Sequence, residues 1–151
     1  MRLKWNGVSA AVGVLLALVA LATTALAAGQ VKGGVYKGGL MPSRDGVVVS
    51  FKVSSNGKQV TALSISNVPL YCSGGGRPTP VRFKNASIST KGTFSSTGRY
   101  VIEEGPNKGK VGSKLKITGK FSKGRTEQGT LTTTYVGFAN CSGKSPYTTK
   151  A

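Results

Sequence analysis

Beyond residue 28, hydrophobic and polar residues alternate along most of the chain. No stretch there keeps a helical apolar period over ten residues. A two-residue period puts successive side chains on opposite faces of a strand. Residues 46–54 are the clearest case: Val47, Val49, Phe51 and Val53 share one face, and Val48, Ser50, Lys52 and Ser54 share the other. Asn56-Gly57 follows at once, the strongest short hairpin signal, with both central positions expected at positive φ. Residues 60–68 read as the returning strand. Leu63 and Ile65 fall out of phase with Val60 and Ala62, which predicts a β-bulge.

The run from Cys72 to Pro80, with Gly74-Gly75-Gly76 inside it, is a loop by composition. Val81, Phe83 and Ile88 mark another strand region, with Arg82 and Lys84 facing away. Lys91-Gly92 is a turn and Phe94 opens a strand. Residues 95–98 read as a polar break and residues 100–103 as a short strand. After the turn Gly105–Gly109, Leu115, Ile117, Gly119 and Phe121 alternate with Lys114, Lys116, Thr118 and Lys120. After Ser122–Arg125, Gly129, Leu131, Thr133 and Tyr135 alternate with Thr130, Thr132, Thr134 and Val136. Further strands are expected at Val35-Tyr36 and around Tyr147. About eight short strands with turns every 8 to 15 residues predict an all-β domain. One wet face per strand implies antiparallel pairing. The architecture expected is a two-sheet sandwich, jelly-roll-like, or a flattened barrel of about eight strands.

The first 28 residues follow a different pattern. Arg2 and Lys4 precede an uncharged, mostly apolar run from Val8 to Ala28 that ends in Ala25-Leu26-Ala27. A basic start, an apolar middle and a small-residue exit make a helical secretory signal peptide, cleaved after Ala27 or Ala28. The competing reading is an uncleaved anchor, since 21 residues of helix reach roughly 31 Å. Ser9, Gly13, Thr23 and Thr24 weaken a permanent span. Residues 29–151 are then one secreted domain, extracellular or envelope-associated and monomeric, with no stable membrane span once the leader is removed.

Cys72 and Cys141 are the only cysteines. An even pair in an exported chain is most simply one disulfide. Closing a loop of that length stabilises by about 4 kcal/mol in the chain-entropy model. Alkylation of the secreted protein without prior reduction should leave both thiols unlabelled, and labelling of both would exclude the bridge. Neither a zinc site nor a redox centre fits two cysteines without histidine or C-x-x-C spacing.

Charge narrows the chemistry further. The chain has 21 Lys and Arg, 4 Asp and Glu, no His and a net charge of +17. Without Arg2 and Lys4 the exported part keeps +15. Lack of imidazole removes the commonest general base and metal ligand. The acids are Asp45, Glu103, Glu104 and Glu127. Adjacent Glu103 and Glu104 point to opposite faces of a strand and cannot flank one bond as glycoside hydrolysis requires. All four acids read as local counter-charges to Lys and Arg. Serine hydroxyls have no histidine to activate them. The expectation is a non-enzymatic protein with no cofactor and no metal.

The basic run is the most informative feature. Lys108, Lys110, Lys114, Lys116, Lys120, Lys123 and Arg125 fall together with no acid among them. Lys114, Lys116 and Lys120 share the outward face of one strand, with neighbours about 6.6 Å apart. Lys52, Arg82 and Lys84 point outward from others. Such a face draws in polyanions, and the charge exceeds the magnitude of about 2 to 8 that solubility needs. The candidate polyanion face is therefore Lys114, Lys116, Lys120, Lys123 and Arg125, with Lys52, Arg82 and Lys84 as additions. The partner expected is an anionic polymer or envelope surface. Sequence-specific nucleic-acid binding is not expected, as no recognition helix or stacking pair lies among the lysines. A protein- or glycan-binding or inhibitor domain with incidental charge is the alternative, and a carboxylate-dependent hydrolase using Glu103 or Glu104 a distant third.

Six short phrases carry a resemblance: Gly34-Val-Tyr36-Lys-Gly38, Val49-Ser-Phe51-Lys-Val53, Gly92-Thr-Phe94, Gly119-Lys-Phe121, Gly129-Thr-Leu131 and Cys141-Ser-Gly143. In this order, over residues 33–148, the chain resembles a group of small secreted β-sandwich proteins of high-GC Gram-positive (actinobacterial-type) bacteria. The resemblance implies the fold and the compartment and carries over no functional residue. Glycine beside an aromatic lets a ring lie over bare backbone, so these phrases read as core signatures.

Overall fold

A computed structural model describes residues 31–43, 46–68, 80–122, 125–136 and 142–151. The leader at 1–28, Asp45, Tyr71, Cys72, Lys123 and Cys141 lie outside the described residues. Among the described residues there is no helix and there are nine strands: β1 Gly34–Leu40, β2 Val48–Val53, β3 Gln59–Ser66, β4 Val81–Arg82, β5 Ala86–Ser87, β6 Thr93–Val101, β7 Val111–Phe121, β8 Thr126–Tyr135 and β9 Ser142–Lys150. All pairings are antiparallel, in the order β4-β3-β2-β1-β9-β8-β7-β6, with β5 also on β3. β4 and β5 act as two halves of one interrupted strand. Across the remaining gap Phe83 bridges Gly98, and the Lys84 N–H donates to the Thr97 carbonyl at 3.1 Å. The sheet thus nearly closes as an eight-stranded barrel. Of the two expected forms the chain takes the barrel: every strand lies beside its neighbour in sequence, whereas a jelly roll needs crossovers between sheets.

Closure gives each strand one inner and one outer face, and the alternation follows it. Val47, Val49, Phe51 and Val53 are buried, whereas Val48 and Lys52 are exposed. The predicted bulge is present: Ser50 pairs with Ser64 and Lys52 with Thr61, so Phe51 faces both Ala62 and Leu63. Ala62 absorbs the distortion at φ 50°. The β2–β3 hairpin also forms, but not with two positive-φ residues. Only Gly57 takes that conformation, at φ 70°. Asn56 instead uses its side chain, whose Oδ1 accepts from Ser54 Oγ at 2.6 Å and from the Lys58 N–H at 3.1 Å.

Residues 95–98 do not break the strand, and β6 runs straight through them. Ser96 points inward and its Oγ donates to the Lys84 carbonyl at 2.5 Å. Gly98 leaves room for the Phe83 ring, which a Cβ there would meet at 3.1 Å. A buried hydroxyl satisfied from a neighbouring strand costs little.

One end of the interior is filled by aromatic rings. Tyr36 stacks on Phe51 at 5.2 Å and meets Phe121 edge-on at 5.4 Å, and Phe94 packs against Phe51 and Phe121 at 5.7 and 5.8 Å. Such pairs add about 0.5–1.5 kcal/mol each beyond the area they bury.

Candidate anion-binding groove

β6, β7 and β8 register their outer faces in rows. Arg99 lies opposite Lys114, which lies opposite Thr134; Thr97 lies opposite Lys116, which lies opposite Thr132. Arg82 and Lys84 reach the same place from the interrupted strand, because Phe83 between them pairs with Gly98. The result is one open groove of about 680 Å³. Arg82, Lys84, Arg99, Lys114 and Lys116 line it, together with the threonine hydroxyls, and among the described residues no carboxylate does. Arg99 and Lys114 are directly opposed, with Cβ atoms about 5 Å apart, and like charges in that relation destabilise a sheet. An anion between them reverses the sign of that term. A second cleft of about 590 Å³, between residues 56–59 and 87–90, has Lys58 as its only charged lining residue among the described residues.

Four of the eight predicted residues therefore meet: Arg82, Lys84, Lys114 and Lys116. Lys120 is on the same outer face of β7 but pairs with Thr93 and Gln128, about 13 Å along the strand from Lys116 and outside the groove. Arg125 sits at the far end of β7–β8, where its carbonyl accepts from the Ala151 N–H at 2.9 Å. Lys52 lies on the opposite side, since β2 is four strands from β7 in either direction around the barrel. Lys52, Lys120 and Arg125 thus lie outside the groove that gathers the other four. Arg99 is the residue the sequence reading missed. Continuing the alternation of Phe94 through Ser96 and Gly98 would have placed it outward, but the assumed break at residues 95–98 interrupted that count.

The acids also need correction. Glu127 is no surface counter-charge. It is 0% exposed, inside the barrel. Its Oε1 accepts from Tyr147 Oη at 2.7 Å and its Oε2 from Thr149 Oγ1 at 2.7 Å. Burial pushes its carboxyl up to about 7, with the two hydroxyl hydrogen bonds acting in the opposite sense. Burial and the neighbouring carboxylate hold the Tyr147 phenol far above its ordinary value, so it remains a donor. Sequence parity carries this signal, because Glu127 is in phase with Gly129, Leu131, Thr133 and Tyr135. Glu103 and Glu104 are exposed in the β6–β7 turn, at the other end of the barrel from Glu127. These carboxyls share no cleft.

Tyr147 is fully buried and Tyr100 partly so. Neither forms an exposed platform of the kind a sugar ring stacks on. Thr130, Thr132 and Thr134 do face outward along β8.

No family model matches the chain, and comparison with curated proteins and with solved structures found no match.

Proposed function

We propose that this protein is an exported, non-enzymatic β-barrel that binds anionic envelope or extracellular polymers in the groove between β4 and β8. The observation that supports the reading is the convergence of Arg82, Lys84, Arg99, Lys114 and Lys116 on one concavity whose lining contains no acid among the described residues. Five cations arranged in rows exchange their small counterions for the fixed charges of a polymer, and the released ions drive binding. The threonine hydroxyls between the rows add donors for oxyanions.

The test is binding to dextran sulfate as a function of salt. With five contacts, log K should fall against log salt with a slope of roughly −4. Lys114→Glu with Lys116→Glu should weaken binding about a hundredfold or more, through loss of two contacts and gain of two repulsions. The control triple variant Lys32→Glu, Lys91→Glu, Lys150→Glu changes more charge at scattered exposed positions and should cost less. Equal losses in the two variants would remove the groove as a defined site. Binding undiminished at about 0.5 M salt, where the Debye length is only about 4 Å, would favour recognition of a protein or neutral glycan instead.

A further inference from the structure

The groove does not end in polar residues. Beyond the Arg99–Lys114–Thr134 row, the next outward positions are Val101, Val111 and Val136. Val101 pairs with Val111, and the Val136 N–H donates to the Gly112 carbonyl at 2.9 Å. A register shift between Tyr100 and Val101 leaves Gly112 as the extra residue of β7. That shift puts Val111 on the outer side, where it lines the groove with Lys114. Val101 is 41% and Val136 44% exposed. Single exposed valines are ordinary. Here two exposed valines, Val101 and Val136, flank the half-buried Val111, and at the rim of a barrel beside five cations they form an amphipathic surface. The adjoining turn adds Glu103 and Glu104 but also Lys108 and Lys110, so it leaves the net charge unchanged.

We infer that this rim docks on the surface of an anionic phospholipid bilayer. The valines enter the headgroup region, and Arg99, Lys114 and the other groove cations meet lipid phosphates. The inference rests on reading the groove as anion-binding and adds a contact that a soluble polymer cannot use. Charge complementarity chooses the partner: a neutral apolar protein surface would leave the cations facing nothing, whereas an anionic bilayer presents phosphate and hydrocarbon at adjacent depths.

Co-sedimentation with vesicles of phosphatidylcholine containing about one-third phosphatidylglycerol tests it, with dextran sulfate binding measured on the same proteins. Val101→Asn with Val136→Asn should lower vesicle partitioning about tenfold or more and leave dextran sulfate binding unchanged. Val35→Asn with Val48→Asn alters valines equally exposed, at 48% and 41%, on β1 and β2 away from the groove, and should change neither. Lys114→Glu with Lys116→Glu should weaken both about a hundredfold or more. Circular dichroism of each variant checks that the barrel is intact. Vesicle binding that ignores Val101 and Val136, or that is as strong on pure phosphatidylcholine, overturns the bilayer inference while leaving the groove reading in place. Equal loss of dextran sulfate and vesicle binding in the valine variant overturns it too, because the valines would then belong to the polymer site. Dextran sulfate binding that ignores Lys114 and Lys116 removes the groove reading itself.

Discussion

Glu127→Gln is expected to raise the melting temperature at pH 8 by about 10 °C and to leave it nearly unchanged at pH 4.5. The carboxyl titrates near 4.5 when solvated and at about 7 in the fold. The folded state therefore holds the proton more tightly than the unfolded state does. Stability contributed by the neutral acid is complete below pH 4.5, declines as pH rises toward 7, and is lost above it. The shift corresponds to about 3 kcal/mol at most, and each kcal/mol moves the midpoint of a domain this size by roughly 3–4 °C. Glutamine keeps an acceptor for one hydroxyl and offers a donor to the other, so the contacts with Tyr147 and Thr149 survive without the charge. The comparison of variant with wild type isolates this group, because the two proteins differ at no other position. A difference in melting temperature that stays constant from pH 4.5 to 8 would show that Glu127 does not ionise across this range in the fold.

Gly129→Ala is expected to cost about 3 kcal/mol or more, at the upper end of what overpacking does. A Cβ at this position would lie 2.6 Å from the Tyr147 ring and closer still to the Thr118 carbonyl oxygen. Neither can retreat. The ring is 0% exposed and its hydroxyl is bonded to Glu127, while the carbonyl belongs to the β7 backbone. Gly105→Ala is the contrasting case. Gly105 has φ 79° but nothing within 4 Å of the added atom, so the cost is backbone conformation alone, about 1–2 kcal/mol. Urea melts of the two variants separate steric exclusion inside the barrel from strain in an open turn. Similar midpoints would mean that the Tyr147 layer is soft enough to absorb a methyl group.

Much of this was legible in the chain because side-chain alternation is local. Val47 to Val53, Leu115 to Phe121 and Leu131 to Tyr135 announced their inner faces by phase alone. The slip at Leu63 announced its bulge, since a strand that must keep its apolar side inward has few other ways to absorb one extra residue. Glycines spaced two residues from Phe121 and Leu131 marked where rings lie over backbone: the Phe94 ring crowds Gly119 and the Tyr147 ring covers Gly129. Polarity alone misled at residues 95–98. Ser96 is buried there because the Lys84 carbonyl, 12 positions earlier, accepts its hydrogen bond. The same kind of error hid Glu127, whose partners come from β9.

By itself the sequence determined most of the strand faces, the outward direction of Lys114, Lys116, Arg82 and Lys84, and a cationic surface with almost no acid to balance it. The tertiary structure decided which outward residues are neighbours. Closing the meander brought Arg82 and Lys84 against Arg99 and Lys114, carried Lys52 to the far side, and left Lys120 and Arg125 near the other end. The physical reason is one of range. The direction of a side chain follows from the two-residue pleat of its own strand, whereas proximity across a barrel depends on register and closure between segments far apart in the chain, which no local period records.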